Sequence, residues 1–206
     1  YFFNDFGFQF NKPRTRQHNS LGSGVIVQQL LEIPTCPAMD IRNQCSGFIY
    51  ALSTADQFIK TGMYKNILII GSENHSGGLD MTTRGRGVSV IFGDGAGAMV
   101  LSASSDDTNR GVLSNHLHSD GRYKDLLYVD GGPSISNQVG FLRMDGKGVF
   151  KHAVHNLSSA IIEAIDYNDL TIDDIDWFVP HQANIRILEA VSKKVGLSKD
   201  KVIITL

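Results

Sequence analysis

The sequence predicts an α/β protein assembled from two similar arms. Three observations carry that expectation. Helical and strand-like periodicities alternate along the chain from Gly22 onward. Two stretches share the order helix, loop, strand, reactive side chain, helix. The 21 glycines, a slight excess, suit the tight turns and close backbone approaches that join such elements. With 206 residues, the chain holds between one and two domains at roughly 150 residues each. Apolar residues make up 42% and charged residues 19%, enough for a core that buries about 70% of the unfolded surface.

The elements follow in order. Residues 1–20 show neither period and read as an irregular lead-in. Val25, Ile26, Val27, Leu30 and Leu31 predict a helix to about Glu32, broken by Pro34 and Pro37, with Ala38–Ile41 as a short strand. Phe48, Leu52, Ala55 and Ile59 share one helical stripe, and Gly62 supplies its stop. Asn66–Ile70, Val88–Phe92 and Ala98–Ser102 read as strands, the last two joined by a glycine hairpin. Residues 103–148 read as a strand and long loops. Helix returns over Val149–Ile165, a strand over Ile175–Val179 ends at Pro180, and Ile185–Val195 is a helix closed by Gly196. The two arms divide the chain into a lead-in (1–20), a first half (21–110) and a second half (111–206).

Composition excludes several classes. A net charge of −2 lacks the basic excess of a nucleic-acid binder. No apolar run approaches the roughly 18 residues of a membrane span, and residues 1–20 lack a signal-peptide layout. Two cysteines are too few for a disulfide scaffold or zinc cluster, which points to a soluble protein of a reducing compartment. The chain opens at Tyr1 and stops in an apolar run at Leu206, so both ends read as cut.

Cys45 lies between a strand and a helix N-terminus, where free N–H groups and the macrodipole favour thiolate. By itself it reads either as a nucleophile or as a structural cysteine. His181, after Pro180 and before the last helix, should stay neutral and donate a hydrogen bond, or else merely cap. Cys36 reads as structural. Phe92–Ala98 (FGDGAGA) lacks the following helix of a dinucleotide fingerprint. His116 and His118 with Asp120 lack a fourth ligand, so a solvated turn is favoured over a metal site. Arg186, Lys193 and Lys194 with Lys151 form a candidate basic patch, or simply solvated charges.

Four segments, NQCSGFIYALSTADQFIKTG, RGRGVSVIFGDGAGAMVL, MDGKGVFKHAV and VPHQANIRILEAVSKKVGL, recur in the order of one family. Over about Leu21–Leu206 the chain resembles β-ketoacyl-[acyl carrier protein] synthase III, the condensing enzyme that starts type II fatty-acid synthesis. The resemblance implies a thiolase-like five-layered αβαβα sandwich of two pseudo-symmetric halves, incomplete in this chain. It implies a cytoplasmic homodimeric acyltransferase without metal or cofactor, whose substrates are acyl-CoA and malonyl-acyl carrier protein. Cys45 would be the acylated nucleophile and His181 the donor to the malonyl thioester carbonyl. Arg86 would meet the CoA nucleotide, Gly87 beside it would bind substrate, and Asn184 would reach the pantetheine arm. Phe92, Leu142, Met144, Gly146 and Phe150 would lie near the acyl tunnel, and Lys151, Arg186, Lys193 and Lys194 would dock the carrier protein. The family's third catalytic residue, an Asn soon after a strand like VIITL, would fall beyond Leu206. A condensing enzyme for long-chain or specialised products, or a non-catalytic interaction module, are the alternatives.

Overall fold

The computed structural model describes residues 2–5, 22–105, 110–132, 135–138 and 140–206. They form two compact units, one of residues 1–81 with 92–110, the other of residues 82–91 with 111–206.

The first unit is a four-stranded sheet in the order β2-β1-β3-β4. Strand β1 (Phe2–Asp5) pairs in parallel with β2 (Met39–Asp40) and with β3 (Asn66–Glu73). Strand β4 (Gly95–Ser102) runs antiparallel to β3 over all eight residues. The irregular lead-in expected for 1–20 is therefore corrected at Phe2–Asp5, whose strand identity comes from partners far along the chain. Residues 6–20 lie outside the described residues. Helix α1 (Ser23–Leu30) opens at Gly22, and the Asp40 carboxylate accepts from Ser23 N at 2.7 Å and Gly24 N at 2.8 Å. That long-range carboxylate does the work of an N-cap, since Gly22 has no side chain to offer.

Helix α2 (Gly47–Lys60) crosses from β2 to β3. Ala51 and Ala55, one turn apart and fully buried, bring it close to Ile67 and Ile69 of β3. Phe48, Leu52, Phe58 and Ile59 complete the core, and each buried isoleucine contributes about 1.5–3 kcal/mol. The helix ends where Gly62 takes φ +75°, with Gly62 N bonded to Ile59 O and Met63 N to Phe58 O. Those two bonds satisfy carbonyls the helix leaves open, as the stop at Gly62 predicted.

Val88–Phe92 is not a strand. Gly85 O accepts from Val88 N and Ser89 N, closing a helical turn, α3 (Arg86–Ser89), and Val88 O accepts from Ile91 N. The β-branched run misled because backbone closure at Gly85 outweighs side-chain propensity. The glycine hairpin falls with it: Gly95 and Gly97 lie inside β4, opposite Glu73 and Gly71.

In the second unit, a 3-10 turn (Gly121–Leu126) leads into β5 (Leu127–Val129), paired antiparallel with β6 (Leu142–Met144). Helix α4 (Gly146–Tyr167) follows, capped by Asp145, which accepts from Lys147 N and Gly148 N. It starts three residues before the predicted Val149 because the cap outweighs two glycines. Helix α5 (Ile185–Val195) packs on α4 and buries Ile187, Leu188 and Val191. Two buried serines, Ser158 and Ser192, bond back to Val154 O and Leu188 O at 2.7 Å and so need no other partner. Gly196 ends α5 at φ +79°. The predicted strand Ile175–Val179 reduces to one parallel bridge, Phe178 with Val202. Pro180 stops it there, having no N–H to continue a ladder.

Candidate active site

The first unit positions Cys45 by topology. Strands β2 and β3 run parallel, so α2 between them must run the opposite way and start at their C-terminal edge. Cys45 sits in the turn just before α2, and Gly47 N closes that turn on Gln44 O at 2.8 Å. The first turn of α2 rests on β3 at Gly71, where a Cβ would meet the Phe48 ring at 3.3 Å. Ligand sites of open α/β sheets form at this edge.

Glu73 ends β3 on the same edge. Its carboxylate accepts from His75 Nε2 at 2.7 Å, and His75 is only 1% exposed. Phe92 lies against the His75 ring, centroids 5.1 Å apart. Next to them, Asp94 accepts from Ser76 N at 2.8 Å and Ser76 Oγ at 2.6 Å, which lowers its carboxyl below the ordinary range. Phe92 therefore belongs to the unit of Cys45, packed on a histidine that the sequence reading passed over.

The residue Cys45 is exposed as a whole, yet its thiol moves opposite to expectation. Loss of water to the surrounding chain pushes it up, the Glu73 charge pushes the same way, and a hydrogen bond from its backbone opposes them. The helix dipole was expected to lower it. Cys45 stands two residues ahead of Gly47, with Ser46 as the capping residue, so nearer groups dominate.

The second unit holds His181. Buried Pro180 precedes it, and Ala183 N bonds to His181 O at 2.9 Å in a tight turn. Gln182, also passed over, donates from Nε2 to Pro180 O and Ile203 O, both at 3.0 Å, and accepts from Thr205 N at 2.9 Å. Asn184 caps α5, its Oδ1 accepting from Arg186 N at 2.9 Å. His181 is exposed as a residue.

Of the other expected residues, Leu142, Met144, Gly146 and Phe150 share the junction of β6 with α4, Leu142 buried at 6% and Phe150 open at 38%. Helix α3, carrying Arg86 and Gly87, packs beside β6. Arg186 and Lys193 line a groove of about 620 Å³ on α5 with Ser192, Leu197, Ser198 and Lys199. Lys199 is paired with Glu189 at 3.2 Å, leaving a positive excess on this face. Lys194 is exposed at the end of α5 and Lys151 on α4.

His116 and His118 meet Glu163 of α4 at 3.0 and 2.6 Å, while Ser114 Oγ and Asn168 extend the chain of bonds. Asp120 pairs instead with Arg122. No group of His, Cys, Asp and Glu suited to a metal ion occurs among the described residues. No helix among them is long and apolar enough to cross a membrane.

A cysteine and a histidine, each where strand-like backbone feeds a helix N-terminus, fit the thiolase-like α/β class that the resemblance implies. Known proteins narrow this further. The model of 3-oxoacyl-[acyl-carrier-protein (ACP)] synthase III matches residues 39–121, and the model of its C-terminal part matches residues 165–206. The chain belongs to the 3-oxoacyl-[acyl-carrier-protein] synthase III family. It is 48% identical over 202 residues to beta-ketoacyl-[acyl-carrier-protein] synthase III of Sphingopyxis alaskensis, covering 98% of this chain and 62% of that protein. The counterpart from Rhodospirillum rubrum is 54% identical over 176 residues, 84% of this chain and 54% of that protein. The crystal structure of the Aquifex aeolicus VF5 synthase III superposes with TM-score 0.85 at 33% identity, over 99% of this chain and 60% of that one. The chain thus spans about three fifths of the length of such relatives.

Proposed function

We propose that the protein carries an acyl group on Cys45 and joins it to malonyl-acyl carrier protein, releasing CO₂ and forming 3-oxoacyl-acyl carrier protein. The observation that carries the reading is the placement of Cys45 at the C-terminal edge of the parallel strands β2, β1 and β3, ahead of α2. The Cys45 thiolate attacks the thioester carbon of acyl-CoA; CoA leaves as the thiol, with the proton given up by Cys45. On the malonyl thioester the bond to the carboxylate breaks, and its electron pair forms an enolate whose oxygen carries the charge. A neutral His181 donates an N–H to that oxygen. The enolate carbon then attacks the acyl carbon on Cys45, and the sulfur departs as thiolate. Removing one such donor costs about 3–4 kcal/mol of transition-state stabilisation.

The activated Cys45 thiolate needs help, since its surroundings favour the thiol. Binding of acyl-CoA beside Arg86, Gly87 and Asn184 supplies proximity in place of a low pKa. The basic residues Lys151, Arg186, Lys193 and Lys194 face an acidic carrier protein. Two thioester substrates provide all the electrons and leaving groups, so no metal or cofactor takes part in the scheme. A cytoplasmic homodimer completes the reading.

Intact-mass analysis after incubation with acyl-CoA tests it: Cys45→Ser is expected to form no adduct, and an undiminished adduct overturns the assignment. His181→Ala is expected to lose malonyl decarboxylation by a far larger factor than acylation, and equal losses count against this division of roles.

A further inference from the structure

The backbone near His181 contains an interrupted ladder. In a parallel pair, one residue donates its N–H to the residue before its partner and accepts from the residue after it. Phe178 does this with Val202: Phe178 N donates to Lys201 O at 2.8 Å, and Ile203 N donates to Phe178 O at 2.9 Å. The next step of that ladder requires residue 180 to donate to Ile203 O and to accept from Thr205 N. Residue 180 is proline and has no N–H. One side chain supplies the missing donor and also takes over the acceptor place, the Pro180 carbonyl being turned to that side chain instead. Gln182 Nε2 donates to Ile203 O at 3.0 Å, and Gln182 Oε1 accepts from Thr205 N at 2.9 Å. The second proton of Nε2 goes to Pro180 O at 3.0 Å.

We propose that Gln182 is a positioning residue, its carboxamide replacing Pro180 in the ladder and so fixing the turn that presents His181. The amide orientation is set by its neighbours, two carbonyls on one side and one N–H on the other. No other common side chain offers two donors and an acceptor in that plane at that reach, asparagine being one methylene shorter. The carbonyls on either side of His181 are both pinned, Pro180 O by Gln182 and His181 O by Ala183 N. The main chain can therefore leave the ladder at His181 without stranding Ile203 O or Thr205 N. The role in catalysis rests on the reading of His181 given above; the ladder replacement does not.

The unaltered protein gives the first test. Thr205 amide exchange, followed by NMR, is expected to be protected; exchange at the rate of an open amide overturns the proposal. Gln182→Ala should release that protection, shift the His181 ring resonances and lower malonyl decarboxylation by about 10- to 100-fold. Acylation of Cys45 should stay within about twofold. Gln182→Glu should do worse, because its oxygens face two carbonyls with no N–H to give. The double variant Pro180→Ala with Gln182→Ala restores a backbone N–H at 180 and should recover much of the protection and the decarboxylation. Decarboxylation at the parent rate in Gln182→Ala, equal loss of both half-reactions, or a double variant no better than the single overturns the proposal. His181→Ala, run alongside, separates the two ideas. If it decarboxylates normally the chemical role of His181 fails, and Thr205 protection with the His181 resonances alone decides the positioning.

Discussion

Asn184 allows two roles of one side chain to be pulled apart. Its Oδ1 caps α5 by accepting from Arg186 N at 2.9 Å, while Nδ2 has no hydrogen-bond partner among the described residues. Replacing a capping Asn by Ala costs about 1 kcal/mol. For a chain of this size that lowers the melting midpoint by about 2–4 °C. Asn184→Asp keeps an acceptor and adds a negative charge at the N-terminal end of the helix dipole, worth about 0.3–1 kcal/mol. The aspartate variant should therefore melt at or above the parent. In the proposed reaction Nδ2 donates to the pantetheine arm, and aspartate cannot. Losing a buried donor costs about 1–3 kcal/mol, or about 5- to 150-fold in acyl-CoA affinity. Thermal melts and calorimetric titration with acyl-CoA read the two effects separately. Asn184→Asp melting as low as Asn184→Ala refutes the capping argument, and parent-like acyl-CoA affinity in Asn184→Asp refutes the donor.

The remaining expectations are simpler to test. Because burial and Glu73 raise the Cys45 thiol, its alkylation rate should keep climbing above the pH at which a free thiol has levelled off. Glu73→Gln should move that curve to lower pH, and an unmoved curve removes Glu73 as a cause. Ile69→Ala, at a site with no exposure at the centre of β3, should cost about 2–5 kcal/mol in urea unfolding; a loss well below that range contradicts the packing described. Hydrogen bonds from His116 and His118 lower the Glu163 carboxyl below its ordinary 4.5. A depressed acid stabilises the fold above its unfolded value and loses that contribution as pH falls through the folded one. Glu163→Gln should therefore lag the parent in stability near neutrality and close the gap below about pH 4.5, and a constant gap contradicts the assignment.

Elements with a strong local signature were legible from the residues alone. Helix α5 has its cap, its stripe and its terminal Gly196 within thirteen residues, and both of its limits came out as expected. Helix α2 likewise carries its own stop at Gly62. What failed was decided from a distance. Phe2–Asp5 is a strand because β2 and β3 accept it, and nothing in four residues announces partners more than thirty positions away. Val88–Phe92 has strand-forming side chains and a helical turn, because the Gly85 carbonyl takes the two amides that a strand would have sent elsewhere.

The site divides along the same line. Cys45 and His181 could be singled out because a reactive residue before a helix is a local pattern. The environment that sets their behaviour is not local. The charge that raises Cys45 comes from Glu73, at the far end of another strand, and the carboxamide that holds the His181 turn serves a ladder whose other half begins at Lys201. A signal for Gln182 did exist: a proline ending a strand leaves a known carbonyl of the neighbouring strand without its donor, and a long amide side chain two residues on can supply one. Asking where each backbone group finds its partner would have reached Gln182 from the letters Pro-His-Gln and the parallel segment after Lys201. The same question asked of a thiol has no such answer, because charges and solvent act on it through space and leave no spacing in the sequence.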